Sequence, residues 1–273
     1  MSQLPHEGRR RSVTLDPIDT SRPHPARMYD YYLGGKDSYP VDEEAAERVI
    51  SFLPAIRAAA RTNRNFMNRA ARLLADRGIN QFLDIGTGIP TEPNLHQVVQ
   101  TVNSQSRVVY ADNDPIVLRH AEALLRSTPE GATKYIQADV REPEKIIDGA
   151  REILNFDEPV ALSLVALLHF VSDEFRPYDL VNELLDPLPS GSFLMLSHVT
   201  GDFDAEGWSK AVEIYRQSGV PAQVRSLDEF GRFFKGLRLI DPGVQMVTDW
   251  RPEPGQEFKN EQVPLYVGVA QKP

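Results

Sequence analysis

The sequence predicts an α/β protein with a doubly wound, seven-stranded and mostly parallel sheet, preceded by a helical N-terminal extension. Two observations predict this fold. Five short apolar segments alternate with helical patterns, as parallel strands joined by helical crossovers do: QFLDIG, RVVYAD, KYIQAD, PVALSLVAL and GSFLMLSHV. Two further apolar segments, LRLIDPGVQMV and VPLYVGVAQK, come last and predict a closing antiparallel pair.

The chain before the first strand divides into a tail and a helical part. Residues 1–22 mix proline, arginine, serine and aspartate without periodicity, which predicts a disordered tail. Residues 23–78 are expected to hold a lid segment and two helices. One helix starts just past Pro40, capped by Asp42, and the other runs from about Ala55 to Arg77. Residues 79–273 form the predicted ligand-binding domain.

Two more helices are expected between the fifth strand and the closing pair. An apolar stripe that includes Trp208 and Tyr215 marks the first of them. Ser226 and Glu229 form a capping-box pattern at the start of the second, which should end near Gly236.

Composition limits the class of protein and of partner. The chain has 273 residues, a net charge of −9, no cysteine, and no basic cluster beyond Arg9–Arg11. It has no apolar run near the roughly 18 residues that a membrane span needs, and no secretory signal pattern. We therefore expect a cytoplasmic protein without membrane partners, and nucleic acid is disfavoured. The six histidines are scattered, so no metal site is predicted.

The strongest local signal is the turn FLDIGTGIPT after the first strand. Gly86, Thr87 and Gly88 would let the backbone approach a ligand closely, but Thr91 replaces the third glycine of a dinucleotide fingerprint. Asp84 has the wrong charge for phosphates and suits a ligand with an ammonium group, such as S-adenosylmethionine. The alternative is a tight strand-to-helix connection with a capping aspartate.

Acidic residues also end the second and third strands. Asp112, followed by Asn113, lies at the separation from the glycines at which a carboxylate commonly accepts hydrogen bonds from ribose hydroxyls. Asp139 could accept a hydrogen bond from an adenine amine, and Val140 could donate its backbone N–H. The alternatives are a turn carboxylate at Asp112 and a helix cap at Asp139. Because parallel strands end at one edge of the sheet, these positions should converge on one crevice.

These motifs resemble a known superfamily. The segments LDIGTG, VVYAD, YIQAD, VALLHFV and GSFLMLSHV, with the ending LYVGVAQ, are similar to the core of Rossmann-like methyltransferases over residues 79–273. HPARMYDYYLGGKDSYPVD and AARTNRNFMNRAARLL resemble a narrower bacterial family of predicted S-adenosylmethionine-dependent methyltransferases of unknown substrate. The resemblance implies S-adenosylmethionine as cofactor, contacted by Asp84, Gly86, Gly88, Asp112 and Asp139. It supplies no methyl acceptor, and no Asn-Pro-Pro-Tyr type motif follows the fourth strand.

Five residues outside the strand ends complete the predicted site. His169 follows the fourth strand and is either a base that deprotonates the acceptor or a packed residue. Tyr29 and Lys36 belong to the segment YDYYLGGKD, which we interpret as part of a lid or, alternatively, a packing arm. Asn63 interrupts an apolar stripe and Arg64 adjoins it, so both could face the amino-acid end of the cofactor. The alternative is a packed asparagine and an exposed arginine.

The leading functional hypothesis is therefore an S-adenosylmethionine-dependent methyltransferase that acts on oxygen or nitrogen of a small molecule. One alternative is a non-catalytic protein that binds S-adenosylmethionine or S-adenosylhomocysteine. Another is an NAD(P)-dependent oxidoreductase, which Asp84 and the missing third glycine disfavour. The oligomeric state cannot be read from the sequence.

Overall fold

A computed structural model describes residues 18–124, 126–252 and 263–273 of the chain. Most of the predicted tail, residues 1–17, lies outside this described part. The nine helices within it are α1 (Pro25–Leu33), α2 (Pro40–Phe52), α3 (Ile56–Asp76), α4 (Leu95–Gln100), α5 (Pro115–Leu124), α6 (Pro143–Ala150), α7 (Pro177–Leu185), α8 (Ala205–Gln217) and α9 (Leu227–Gly231). The described strands are β1 (Gln81–Ile85), β2 (Arg107–Asp112), β3 (Ala132–Gln137), β4 (Ala161–Val165), β5 (Phe193–Val199), β6 (Arg238–Leu239), β7 (Gln245–Met246) and β8 (Leu265–Gln271).

The strands form one sheet in the order β3-β2-β1-β4-β5-β8-β6, and β7 also pairs with β8. Strands β1 to β5 are parallel, whereas β8 runs antiparallel to β5. From β1 the chain winds outward through β2 and β3, and it then continues on the other side through β4 and β5. The predicted doubly wound, mostly parallel sheet is thus confirmed, with a crevice where the winding reverses between β1 and β4.

The predicted strand in LRLIDPGVQMV is divided. Both β6 and β7 pair with the same edge of β8, and the turn Ile240–Val244 separates them. Pro242 has no N–H to donate to a ladder, and Gly243 has a left-handed φ of 83°. The outer edge position therefore holds two short strands in place of one continuous strand.

The helices cover both faces of the sheet and bury it. All five residues of β1 are buried, as are the residues of β5. Helix α3 packs its apolar face on the sheet, where Phe66 is fully buried with its ring centroid 5.1 Å from that of Trp250. Complete burial of such a side chain contributes about 1.5–3 kcal/mol. The strand ends are therefore held by a rigid support.

Hydrogen bonds from polar side chains mark the starts of helices α2 and α9. Helix α2 starts at Pro40, with Tyr39 as the N-cap and Asp42 in the first turn. The Asp42 carboxylate accepts from the N–H groups of Tyr39 (2.9 Å) and His24 (2.8 Å). Asp42 therefore caps the helix from within its first turn and also binds the chain that precedes α1. The predicted capping box of Ser226 and Glu229 is present at α9.

Candidate functional site

A cavity of about 440 Å³ lies at the carboxyl ends of β1 to β4. Its floor is formed by the residues that follow these four strands, and one wall comes from residues of the 19–29 segment. Helix α3 contributes Asn63, Arg64 and Met67, and the chain after α8 contributes residues 218–221. The cavity therefore occupies the crevice at which doubly wound sheets bind ligands.

The glycine turn after β1 leaves room for a ligand. Gly86 and Gly88 have left-handed φ values of 72° and 69°, which disfavour side chains. A Cβ on Gly86 would lie 2.6 Å from Cδ1 of Leu167, whereas a Cβ on Gly88 would meet nothing within 4 Å. The Thr87 hydroxyl donates to the backbone oxygen of Asp84 (3.1 Å). A side chain at Gly86 would displace Leu167, whereas Gly88 borders open space.

Asp84 is a buried acid at the base of the cavity. Only 5% of the residue is exposed, and burial raises the pKa of its carboxyl to about 6, although Ser163 and Arg64 oppose the shift. The carboxylate is charged at neutral pH but poorly solvated. A ligand cation would supply the missing counter-charge.

Asp112 stands at the end of β2 and receives two backbone hydrogen bonds. Its Oδ1 accepts from the N–H of Asp114 (2.9 Å) and its Oδ2 from the N–H of Gly88 (2.8 Å). Burial raises the pKa of its carboxyl, although these two hydrogen bonds and the nearby His24 act to lower it. Asp112 therefore ties the glycine turn to β2 while lining the cavity.

Asp139 is joined to its neighbours by charged and polar hydrogen bonds. Its carboxylate accepts from the Arg141 guanidinium (2.7 Å) and from Nδ2 of Asn113 (3.1 Å). Burial would raise the pKa of Asp139, but these bonds outweigh it and lower the pKa. The N-cap of α6 is Glu142, so Asp139 does not cap that helix. Asn113, Asp139 and Val140 all line the cavity.

Tyr29 and Asn63 form a pair on the helical wall. The Tyr29 hydroxyl donates to the Ala60 carbonyl (3.0 Å) and accepts from Nδ2 of Asn63 (3.0 Å). Burial raises the pKa of Tyr29. Asn63 Oδ1 is buried without a hydrogen-bond partner among the described residues. An unpaired buried acceptor that lines a cavity fits a ligand that brings an N–H donor.

Arg64 lies beside this pair and is anchored to backbone. Its guanidinium donates to the carbonyls of Thr91 and of Pro93, the latter at 3.0 Å. Its positive charge also opposes the raised pKa of Asp84. Arg64 therefore lines the cavity and holds the loop that follows the glycine turn.

Lys36 is not brought to the cavity. Its side chain is exposed, and it is absent from the residues that line the cavity. The chain turns sharply before it, because Asp30 occupies the space beside Gly35, where a Cβ would lie 2.0 Å from the carboxylate. The N–H of Asp37 donates to the same carboxylate (3.0 Å). The cavity wall therefore uses residues of the 19–29 segment, whereas residues 30–40 lie elsewhere.

His169 lies behind the cavity wall. It is only 8% exposed and does not line the cavity. The centroid of its ring lies 4.3 Å from that of Phe170 and 5.5 Å from that of His198. Burial, followed by His198 and Arg225, holds the pKa of His169 well below its usual value. The described structure therefore places this imidazole as a packed, neutral group away from the space where an acceptor would bind.

A buried ionic network that holds the cavity wall has no clear signal in the sequence. Arg27, only 2% exposed, lies 3.3 Å from Asp42 and 3.7 Å from Asp114. Its guanidinium also donates to the carbonyls of Asp19 (3.0 Å) and Arg22 (2.9 Å). Residues 18–22, which the sequence assigns to the tail, are thus bound to the fold. We call residues 19–24 the strap.

His24 fixes the other end of the strap. Its Nδ1 lies 3.0 Å from a carboxylate oxygen of Asp114, and its backbone N–H donates to Asp42. The one sequence feature that could have indicated His24 is its position before Pro25, since a residue before a first-turn proline commonly caps a helix. Its pairing with Asp114 across about 90 residues of chain has no local signature.

Comparisons with known proteins identify the family. Residues 11–273 match the family described as S-adenosyl methyltransferase. The chain belongs to this family. A DUF574 family protein from Streptomyces avermitilis is 45% identical in sequence and superposes with a TM-score of 0.91. The match covers 94% of this chain and 100% of the Streptomyces chain. A protein from Thermobifida fusca is 36% identical with a TM-score of 0.85, covering 93% and 96%. A search of curated proteins found no match.

More distant structures share the methyltransferase fold. The plantazolicin methyltransferase BamL, solved with S-adenosylhomocysteine and a triazolic desmethylPZN analog, is 14% identical with a TM-score of 0.51. The match covers 90% of this chain and 95% of the BamL chain. The protein is thus an S-adenosylmethionine-dependent methyltransferase with a Rossmann-like fold.

Within residues 18–124, 126–252 and 263–273, no group of three or more histidine, aspartate or glutamate side chains is arranged to hold a metal ion. No helix in the same ranges is both long enough and apolar enough to cross a membrane.

Proposed function

We propose that this methyltransferase transfers the methyl group of S-adenosylmethionine to an oxygen or nitrogen atom of a small molecule. One observation carries the proposal: one cavity of about 440 Å³ combines the carboxylates at the ends of β1 to β3 with an apolar wall at the end of β4. Its volume lies in the range of small-molecule sites. A cofactor and a small acceptor can therefore meet in one cavity.

The polar side of the cavity fits the cofactor residue by residue. We assign the cofactor's ammonium group to Asp84 and to the unpaired Oδ1 of Asn63, with Tyr29 and Arg64 holding that wall. Asp112 is the partner proposed for the ribose hydroxyls. The remaining assignments are the adenine contacts of Asn113, Asp139 and Val140, and the backbone approach allowed by Gly86, Thr87 and Gly88.

The chemistry requires alignment more than it requires catalytic side chains. When bound, S-adenosylmethionine supplies a methyl group activated by attachment to a sulfonium. Rigid placement of two reactants can lower a barrier by about 7–11 kcal/mol. The sheet ends fix one reactant, and the wall after β4 fixes the other. His169 is not assigned a proton-transfer role, because it lies outside the cavity and its low pKa makes it a weak base.

The strap and α1 exclude water from this site. Residues 19–29 form one wall of the cavity, and Arg27 holds the strap carbonyls from inside the fold. We therefore propose that 23–78 works as a cover and its supporting helices, while 79–273 binds the cofactor. Exclusion of water strengthens the electrostatic contacts on which alignment depends.

An acceptor screen that follows release of S-adenosylhomocysteine tests the proposal. The full-length protein is mixed with S-adenosylmethionine and a library of small hydroxy and amino compounds. Turnover with any member supports the proposal. Tight binding of S-adenosylmethionine with no turnover across the library would favour a protein that only binds the cofactor.

A further inference from the structure

The wall of the cavity beyond the cofactor carboxylates is apolar. Val165, Phe170 and Val220 line it and are only partly buried, although they pack against the same hydrophobic core. Val171 and Pro221 extend the same surface. Hydrophobic side chains that border a cavity, with part of their surface open, favour an apolar ligand there. We call this surface the apolar wall.

The apolar wall is held rigidly from behind. Arg225 is 1% exposed and donates to the carbonyls of Leu168 (3.0 Å) and Val171 (2.9 Å). The N–H of Gln223 donates to the His169 carbonyl (2.8 Å), which joins the chain after α8 to the chain after β4. The ring of Phe170 packs 5.1 Å from that of Tyr215. The wall is therefore a preformed surface that presents an aromatic ring to its ligand.

The backbone is strained where the chain leaves β4 and enters the apolar wall. Ala166 follows β4 with a φ of 56°, a left-handed conformation that residues other than glycine rarely adopt. Its N–H donates to the Ser197 hydroxyl (2.8 Å), and it lines the cavity. Strain held in this way clusters at binding and catalytic sites. It turns the chain after β4 so that Leu167 and Phe170 border the cavity.

The arginines that line the cavity already have partners. Each contacts a carboxylate or a carbonyl: Arg22 with Asp19 (3.3 Å), Arg27 with Asp42 (3.3 Å), Arg64 with the Pro93 carbonyl (3.0 Å) and Arg141 with Asp139 (2.7 Å). The His24 imidazole lies 3.0 Å from Asp114. The described lining therefore offers no unpaired cation to a phosphate or carboxylate on the acceptor. An uncharged acceptor suits this arrangement.

The apolar wall also lacks a base. Among the described lining residues that follow β4 and α8, none has a titratable side chain; they are Val165, Ala166, Leu167, Phe170, Val171, Ser218, Gly219, Val220 and Pro221. Asp84, Asp112 and Asp139 are engaged by the proposed cofactor contacts. Of the other lining acids, Asp19 accepts from Ser21 (2.6 Å), and Asp114 lies beside His24 (3.0 Å) and Arg27 (3.7 Å). An acceptor that needs its proton removed would find no partner on this wall.

We propose that the methyl acceptor is an uncharged, planar aromatic molecule whose nucleophilic atom has a free lone pair at neutral pH, such as the ring nitrogen of a heterocycle. This inference rests on the proposed function. The acceptor lone pair forms a new bond to the methyl carbon as the carbon–sulfur bond breaks, and the electron pair of that bond stays on sulfur. The positive charge passes from sulfur to the heterocycle, so no proton is transferred. The ring of Phe170 can stabilise the charge that develops on the acceptor.

The first experiment measures binding. The full-length protein is saturated with S-adenosylhomocysteine and titrated with isoquinoline, 1-naphthoate and cyclohexylmethanol. We expect isoquinoline to bind tightest. Phe170→Ala should weaken isoquinoline binding at least tenfold while changing S-adenosylmethionine affinity less than twofold. Phe52→Ala removes the same side chain from an exposed position outside the cavity and serves as the matched control. Equal affinity for cyclohexylmethanol, preference for 1-naphthoate, or no effect of Phe170→Ala would overturn the inference.

The second experiment measures turnover and separates the two proposals. With S-adenosylmethionine we expect N-methylisoquinolinium and S-adenosylhomocysteine in equal amounts, and little product from 2-naphthol at neutral pH. Faster methylation of 2-naphthol or cyclohexylmethanol than of isoquinoline would overturn the inference while supporting the proposed function. Selective aromatic binding without release of S-adenosylhomocysteine from any compound would instead contradict the proposed function.

Discussion

Replacing Asp84 by Asn is expected to stabilise the cofactor-free protein and to weaken S-adenosylmethionine binding. The buried carboxylate has a pKa of about 6, against an ordinary value of 3.8. At about 1.4 kcal/mol per pKa unit, this difference means that ionised Asp84 costs the folded state about 3 kcal/mol at neutral pH. Asparagine removes the charge but accepts a weaker hydrogen bond from Thr87. We therefore expect a net gain of about 1–2 kcal/mol and a Tm rise of about 2–8 °C.

The stability difference between Asp84→Asn and the wild type should depend on pH, with a sign that follows from the raised pKa. A raised pKa means that the folded state favours the protonated carboxyl, so the cost of Asp84 is absent below pH 3.8. The cost grows as the pH rises and is complete above about 6. The stability advantage of Asp84→Asn should therefore be smaller at pH 5 than at pH 7.5. Thermal unfolding of both proteins without cofactor, across this range, measures it.

Asp139→Asn serves as a matched control of opposite sign. Asp139 has a lowered pKa, so losing its charge should lower stability slightly. Titration calorimetry should show that Asp84→Asn loses about 1.5–3 kcal/mol of S-adenosylmethionine affinity at pH 7.5. A Tm equal to or below that of the wild type at pH 7.5, together with unchanged affinity, would refute the assignment of Asp84 to the cofactor's ammonium group.

Three further predictions concern the rest of the site. Asp112→Ala should weaken S-adenosylmethionine by about 1–3 kcal/mol in calorimetry, and an unchanged Kd would remove the ribose assignment. Arg27→Met should lower the free energy of unfolding in urea by about 3–5 kcal/mol, because it leaves Asp42 and Asp114 buried without their partner; a loss below about 1 kcal/mol would contradict the role of this network. Deleting residues 1–17 should leave cofactor affinity unchanged, whereas deleting 1–40 should impair it, and hydrogen exchange of residues 19–29 should slow when S-adenosylmethionine binds. Equal exchange with and without cofactor would identify the segment as a packing arm.

The local patterns of the sequence were sufficient to predict the sheet. Alternating apolar segments and helical stripes report burial directly, so β1 to β5 and α3 were predicted close to their observed bounds. The division of β6 from β7 was missed because each strand has only two residues. Such short strands exist only through their pairing with β8, which no local pattern encodes.

The candidate site was predictable where strand ends locate residues. Parallel strands end at one edge, so the placement of Asp84, Asp112 and Asp139 around one cavity follows from topology. The orientation of side chains on irregular segments does not. His169 and Phe170 are adjacent, yet Phe170 borders the cavity and His169 does not. Lys36 failed to reach the cavity for the same reason, since the turn at Gly35 depends on a contact with Asp30.

The strap also has a consequence for the timing of the catalytic cycle. Residues 19–24 lie across one wall of the cavity and are held by Arg27, whose guanidinium is bonded at the same time to two other parts of the fold. S-adenosylhomocysteine leaving past this wall would have to break those bonds, and the next S-adenosylmethionine would have to enter before they re-form. The dwell time of S-adenosylhomocysteine would then set an upper limit on the turnover rate. A rapid first turnover followed by a slower steady rate would be its kinetic signature.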